Sequence, residues 1–124
     1  MNTARSGSVR ENKLRHYLER QGWSCIRAAG SKGVFDLVAI RSRPELYTSL
    51  IQVKTNHWPC GGELKELIRF AKAAAITPGN QTQIVVVKFI TRSSLALWVD
   101  MIDVVSQKKP YDWRCVARQV DLRE

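Results

Sequence analysis

The chain is short of acidic residues: 11 Asp and Glu stand against 20 Lys and Arg, giving a formal charge of +9 and an isoelectric point near 10.0. Such an imbalance makes a polyanion the partner to expect, although composition alone does not separate DNA, RNA and anionic lipid. Cysteine is also scarce. Cys25, Cys60 and Cys115 are odd in number and show no CxxC spacing, which argues against a disulfide framework and a zinc knuckle. His57 and Cys60 form an isolated HxxC, but a zinc site needs two further ligands, and only His16 and distant cysteines remain to supply them. Long hydrophobic runs are missing as well. Stretches such as residues 84–87 are far too short to span a bilayer, and no apolar region follows the basic residues near the N-terminus. No membrane partner is expected, and the location expected is cytoplasmic. There is no internal repeat and no low-complexity tract. At 124 residues and 44% apolar composition, the chain suits one domain with one ordinary core and leaves no room for a second catalytic domain.

The pattern of elements is mixed. Residues 1–7 lack apolar periodicity and carry Arg5, which predicts either a basic arm able to touch phosphate or a frayed end. Ser8 and Glu11 have the S-x-x-E form of a capping box, and Val9, Leu14, Tyr17 and Leu18 recur at helical spacing until Gly22, so a first helix is predicted over residues 9–21. Residues 23–28, 34–41 and 49–55 are rich in β-branched and aromatic side chains and read as three strands. A second helix is predicted over 63–76, where Leu64, Leu67, Ile68, Ala71 and Ala75 share a face before Thr77, Pro78 and Gly79. The nearly continuous apolar run 83–90 predicts a strand covered on both faces, with a further strand over 95–102. The order is α-β-β-β-α-β-β, an α/β chain whose mixed sheet is flanked by helices. Residues 106–124 alternate charged and apolar positions, with Trp113, Val116 and Val120 available to cover a sheet edge or meet another subunit.

Charged and polar residues inside two of the predicted strands stand out. Asp36 interrupts Val34–Ile40, and Gln52 and Lys54 interrupt Leu50–Lys54. An ionised group in an apolar strand is costly unless it is paired or holds a metal. Strand alternation puts Gln52 and Lys54 on one face, and a hairpin turning near Glu45 would set Asp36 across from Lys54. The resulting patch suits phosphodiester hydrolysis. Asp36 and the Gln52 amide oxygen are hard ligands for Mg²⁺, and Lys54 can stabilise charge developing on the phosphate or position the attacking water. Glu11 either reaches the metal or closes the capping box with Ser8; one carboxylate serves only one of these roles well.

Taken in order, Glu11, then Gly30-Ser31-Lys32-Gly33 leading to Asp36, then Gln52-Val53-Lys54, the chain resembles the PD-(D/E)xK nuclease core. Within that superfamily it is most similar to the archaeal-type Holliday junction resolvases and their viral relatives, over roughly residues 8–90. The resemblance implies a restriction-endonuclease-like core and a homodimeric, Mg²⁺-dependent endonuclease that resolves four-way DNA junctions by paired symmetric nicks, with Mn²⁺ as the candidate substitute ion and no small-molecule cofactor. It implies further that Asp36, the Gln52 side chain and the Val53 carbonyl bind the metal, that Glu11 completes the site, that Lys54 is the catalytic lysine and that Ser31 lies near the scissile phosphate. The departure is Gln52, where most members carry Glu; loss of that charge should weaken metal binding and favour one ion over two.

Arg10, Arg15, Arg27, Lys32, Arg41 and Arg43 fall in the first third of the chain, around the expected site, and are candidates to track phosphates on the DNA arms. Trp58, Trp98 and Trp113 offer stacking surfaces for unpaired bases, although packing is the commoner role for tryptophan. Three other readings share these residues: a repair, nicking or restriction-type nuclease of the same core, a branched-DNA-binding protein without catalysis, and an unrelated α/β domain in which Asp36 and Lys54 form an ordinary ion pair.

Overall fold

The computed structural model describes residues 3–28 and 33–123, with side chains from residue 9 onward. Helix α1 (Thr3–Arg20) leads into strands β1 (Ser24–Arg27), β2 (Leu37–Arg41) and β3 (Tyr47–Thr55). Helix α2 (Gly61–Ile76) then crosses to β4 (Thr82–Phe89), which is followed by β5 (Leu95–Asp100), a short helix α3 (Met101–Val105), a 3₁₀ turn at Trp113–Cys115 and β6 (Arg118–Asp121). The six strands lie in the sheet in the order of the sequence. All neighbours are antiparallel except β3 and β4, which run parallel because α2 carries the chain back to the starting end.

The sheet is covered on both faces, and β4 shows why. Its residues Ile84 to Val87 are all buried, yet they divide by alternation: Val85 and Val87 pack with Leu14 and Leu18 of α1, whereas Ile84 and Val86 pack with Leu67 and Ala71 of α2 and Met101 and Val104 of α3. Leu14 and Leu67 are fully buried, each removing apolar surface that contributes roughly 1.5–3 kcal/mol.

The predicted elements are found, with corrections at their ends. Helix α1 starts at Thr3, where an arm over residues 1–7 was expected, so Ser8 lies inside the helix and cannot be its N-cap. That releases Glu11 from the capping box. The strand expected over 95–102 stops at Asp100, whose side chain accepts a hydrogen bond from the Ile102 amide at 3.2 Å and thereby starts α3. In the C-terminal segment, β6 pairs with β5 and covers that edge, with Val120 in the α1-side core.

Candidate active site

The site forms at one end of the sheet, where β2 begins and β3 and β4 finish. In β3 the alternation sends Ser49, Ile51 and Val53 toward one face and Leu50, Gln52 and Lys54 toward the face that α2 covers. Gln52 is only 2% exposed. The β2–β3 register ends with Leu37 paired to Ile51, and Asp36, one residue before it, also bonds Ile51, so Asp36 is not set opposite Lys54 as the sequence suggested. The pairing sets the turn nearer Pro44 than Glu45, which moves Asp36 away from Lys54. Asp36 also sits just before β2, not inside a strand, and its backbone N–H donates to the Ile51 carbonyl at 2.8 Å.

The Asp36 carboxylate accepts a hydrogen bond from the Val53 N–H at 2.7 Å. Because the N–H and C=O of one residue in an extended strand point to the same side, the Val53 carbonyl faces the edge where Asp36 lies. Burial lifts the Asp36 carboxyl above its ordinary range; the Val53 amide opposes this, the neighbouring Glu11 and Glu63 charges add to it, and Lys54 opposes it.

Glu63, in the first turn of α2, joins the β3 residues together. Its Oε2 accepts from Gln52 Nε2 at 2.7 Å, and its Oε1 accepts from Lys54 Nζ at 3.0 Å. This carboxylate fixes the amide orientation, since only the NH₂ end of Gln52 can donate to it. Gln52 Oε1 is left buried with no hydrogen-bond partner among the described residues. A buried carbonyl oxygen without a donor is costly, and a hard cation would satisfy it. Among the described residues no three His, Cys, Asp or Glu side chains group as a ready metal cage, so the donor set on offer mixes carboxylate, amide and backbone oxygens. That mixture suits an oxygen-loving ion that keeps several waters.

Glu11 approaches from α1 and is held 2.9 Å from Arg27 Nε on β1. Arg27 is therefore at the site, engaged with a carboxylate. Arg10 lines a cleft of about 520 Å³ with Lys13 and Arg92, at the same end of the sheet, between α1 and the β4–β5 turn. The loop after β3 is fastened to that turn: Asn56 Nδ2 donates to Thr91 Oγ1 at 2.6 Å and the Thr91 amide donates to Asn56 Oδ1 at 3.0 Å.

Other expected DNA contacts lie elsewhere. Arg41 ends β2, roughly 16 Å along the strand from Asp36 at the usual rise per residue. Its guanidinium stacks 4.8 Å from the Trp23 ring centre and 5.9 Å from that of Tyr47. Arg43 is exposed in the loop beyond it, so neither lies at the Asp36 end of the sheet, around which the sequence placed them. Arg15 acts on Cys25 electrostatically, and its Nε is buried with no hydrogen-bond partner among the described residues. Burial pushes the Cys25 thiol up to about 11, which keeps it protonated. Ser31, Lys32 and the side chain of Arg5 fall outside the described residues.

Sequence reasoning missed Glu63 and Lys88. Glu63 was legible only as the first acidic residue of a helix; the available signal is that it opens the helix leaving the active strand, nine residues after Lys54. Lys88 pairs in register with Lys54, and its ammonium sits 4.5 Å from the Trp58 ring centre. Trp58 in turn stacks on Trp113 at 4.9 Å with the rings 6° from parallel, so these two tryptophans pack on each other, while Trp98 is buried under Arg118.

Comparison with known proteins converges on this architecture. A solved structure of Archaeoglobus fulgidus Hjc, a Holliday junction resolvase from an archaeal hyperthermophile, superposes with a TM-score of 0.56 over 90% of this chain and 84% of that one, at 19% identity, and so shares the fold. The crossover junction endodeoxyribonuclease Hjc of Methanocaldococcus jannaschii is 38% identical over 69 residues, 55% of this chain, and the match spans about half the length of that relative, 51%. The family model for archaeal Holliday junction resolvase (Hjc) matches residues 2–108. That stretch runs from α1 through α3 and takes in Glu11, Asp36, Gln52, Val53, Lys54 and Glu63, and on it the chain belongs to the archaeal Holliday junction resolvase family.

Proposed function

We propose that the protein is a Mg²⁺-dependent endonuclease that resolves four-way DNA junctions by two symmetric nicks, working as a homodimer. The observation that carries this reading is the buried Gln52 Oε1, unpartnered among the described residues at 2% residue exposure, in a residue that shares Glu63 with Lys54 and precedes Val53, whose N–H holds the Asp36 carboxylate. Asp36, Gln52 Oε1 and the Val53 carbonyl would hold the ion, with Glu11 close enough to act on Asp36 electrostatically. When bound, Mg²⁺ supplies Lewis-acid polarisation of the phosphate and lowers the pKa of a coordinated water; Mn²⁺ has the same ligand preferences.

The chain's own residues divide the remaining work. Lys54, a quarter exposed, presents its ammonium where charge accumulates on the phosphate and can also orient the attacking water. Its pair with the 45%-exposed Glu63 is a partly exposed ion pair, of the kind whose net value is about 0–1 kcal/mol, so a phosphate oxygen can displace Glu63 from it. Arg10, with Lys13 and Arg92, lines a basic cleft suited to the sugar-phosphate backbone, and Ser31, Lys32 and Arg5 extend the proposal to residues outside the described set. A homodimer fits the task, because a two-fold axis presents two equivalent sites to two equivalent strands.

One observation favours a second reading, a junction-binding protein without catalysis: Lys54 is already engaged by Glu63, and Gln52 is neutral. Incubating a labelled synthetic four-way junction and a linear duplex with the protein, in Mg²⁺ or EDTA, separates the two. Paired nicks confined to the junction, absent in EDTA and in the folded Asp36→Asn and Lys54→Ala variants, are expected. Tight junction binding with no cutting in Mg²⁺ or Mn²⁺ would establish the second reading instead.

A further inference from the structure

Glu63 occupies an unusual place: it touches Gln52 and Lys54, on the face of β3 that α2 covers, yet it belongs to neither strand of the site. We infer that Glu63 is the positioning residue of the cation site, holding the Gln52 amide with its oxygen toward the ion and placing negative charge behind it. This rests on the proposed reading of Asp36, Gln52 and Lys54 as the cation and phosphate site.

Three features carry the inference. A neutral amide can turn either end toward a cation; only its oxygen is a ligand, and its NH₂ end repels the ion. Glu63 Oε2, 2.7 Å from Gln52 Nε2, takes up the NH₂ end and so settles the choice. The opposite end, Oε1, is consequently buried and without a partner among the described residues, in a residue that is 2% exposed, which makes it an available ligand atom and not a surface group. Finally, a carboxylate hydrogen-bonded to the NH₂ end polarises the amide and increases the basicity of its oxygen, the way outer carboxylates act on histidine ligands. The same carboxylate reaches Lys54 Nζ at 3.0 Å with its other oxygen. Glu63 thus sets the direction of the ligand and the parking position of the lysine together, and it brings the charge that an amide cannot supply.

The test is Mn²⁺ binding by the full chain, read by calorimetry and by the electron paramagnetic resonance signal of the free ion, with junction cleavage followed in parallel. Glu63→Ala is expected to lower Mn²⁺ affinity by roughly 10–100-fold, the usual effect of removing an outer carboxylate. Glu63→Gln, which preserves the shape of the side chain and removes its charge, is expected to lower it as well. Adding Gln52→Glu to Glu63→Ala is expected to restore affinity, because two equivalent carboxylate oxygens need no orienting partner. A Glu63 that merely anchors α2 or Lys54 predicts unchanged Mn²⁺ affinity in both single variants and no rescue, and that result overturns the inference while leaving the nuclease reading intact if the wild type still cuts. Mn²⁺ binding that depends on Glu63 in a protein that never cuts junctions would uphold the inference and defeat the catalytic reading. A wild type that binds no Mn²⁺ through Asp36 would overturn both.

Discussion

Replacing Gln52 by methionine keeps nearly the same volume in a buried position and removes both polar atoms, so it asks whether the amide serves folding or function. The loss is the hydrogen bond from Nε2 to the Glu63 carboxylate, 2.7 Å long and charge-assisted, a class that contributes about 1.5–3 kcal/mol. The gain is relief of Oε1, whose burial without a donor costs about 1–3 kcal/mol. The two nearly cancel. A buried thioether adds apolar contact, so Gln52→Met is expected to equal or exceed the wild type in stability, within about 1 kcal/mol, when urea unfolding is measured in EDTA. Mg²⁺ should then separate them. At ten times its dissociation constant the ion stabilises a folded binder by about 1.4 kcal/mol, a shift expected for the wild type and absent in the variant, which should also fail to cut. A loss of more than about 2 kcal/mol in EDTA would refute the reasoning, because it would mean that Oε1 already has a partner in the folded protein.

Three further outcomes are expected. Burial raises the Asp36 carboxyl in the folded state, so the folded chain holds that proton more tightly than the unfolded one; stability falls as pH climbs from the ordinary carboxylate value through the raised one, and at neutral pH the charge is a burden. Asp36→Asn should therefore be more stable than wild type at pH 7 by urea midpoint, an advantage that disappears below about pH 4, and a less stable variant at pH 7 would contradict this. Arg10→Ala should lower the dependence of junction affinity on salt by about one unit of the log–log slope if its guanidinium meets one phosphate; an unchanged slope in EDTA removes it from the interface. Trp113→Ala should cost about 0.5–1.5 kcal/mol for the lost stack on Trp58, beyond the loss of buried area, and shift Trp58 emission to the red; unaltered stability would show that the stack holds nothing in place.

The sequence disclosed those parts of the fold that follow from local pattern. Alternation and apolar runs located β3 and β4 to within a few residues, and the run at Ile84 to Val87 correctly implied cover on both faces, because each rests on which side chains must leave water. Register was not legible. Whether Asp36 stands across from Lys54 or back beside Ile51 depends on the loop between β2 and β3, whose geometry a pattern of apolar residues does not encode. The helix start failed for a related reason: Ser8 and Glu11 fit a cap, but the helix begins upstream, and Glu11 found Arg27 instead. Glu63 showed only as an acidic residue opening the helix that follows Lys54, because its role depends on where α2 meets the end of β3. That spacing alone does not specify the two hydrogen bonds it makes.

The family match ends at residue 108, while the sheet goes on to β6 at Arg118–Asp121. A strand laid against an outer edge can be gained or lost over evolutionary time without repacking what it joins, since every interior pairing is already made. The intervening turn also delivers Trp113 to Trp58, and Trp58 carries Lys88 next to Lys54, so this edge segment touches the site's own neighbourhood through a relay of two rings and one ammonium. Changes in the terminal segment would then reach the Lys54 end of the sheet through side-chain packing alone, leaving the pairings of the other five strands in place.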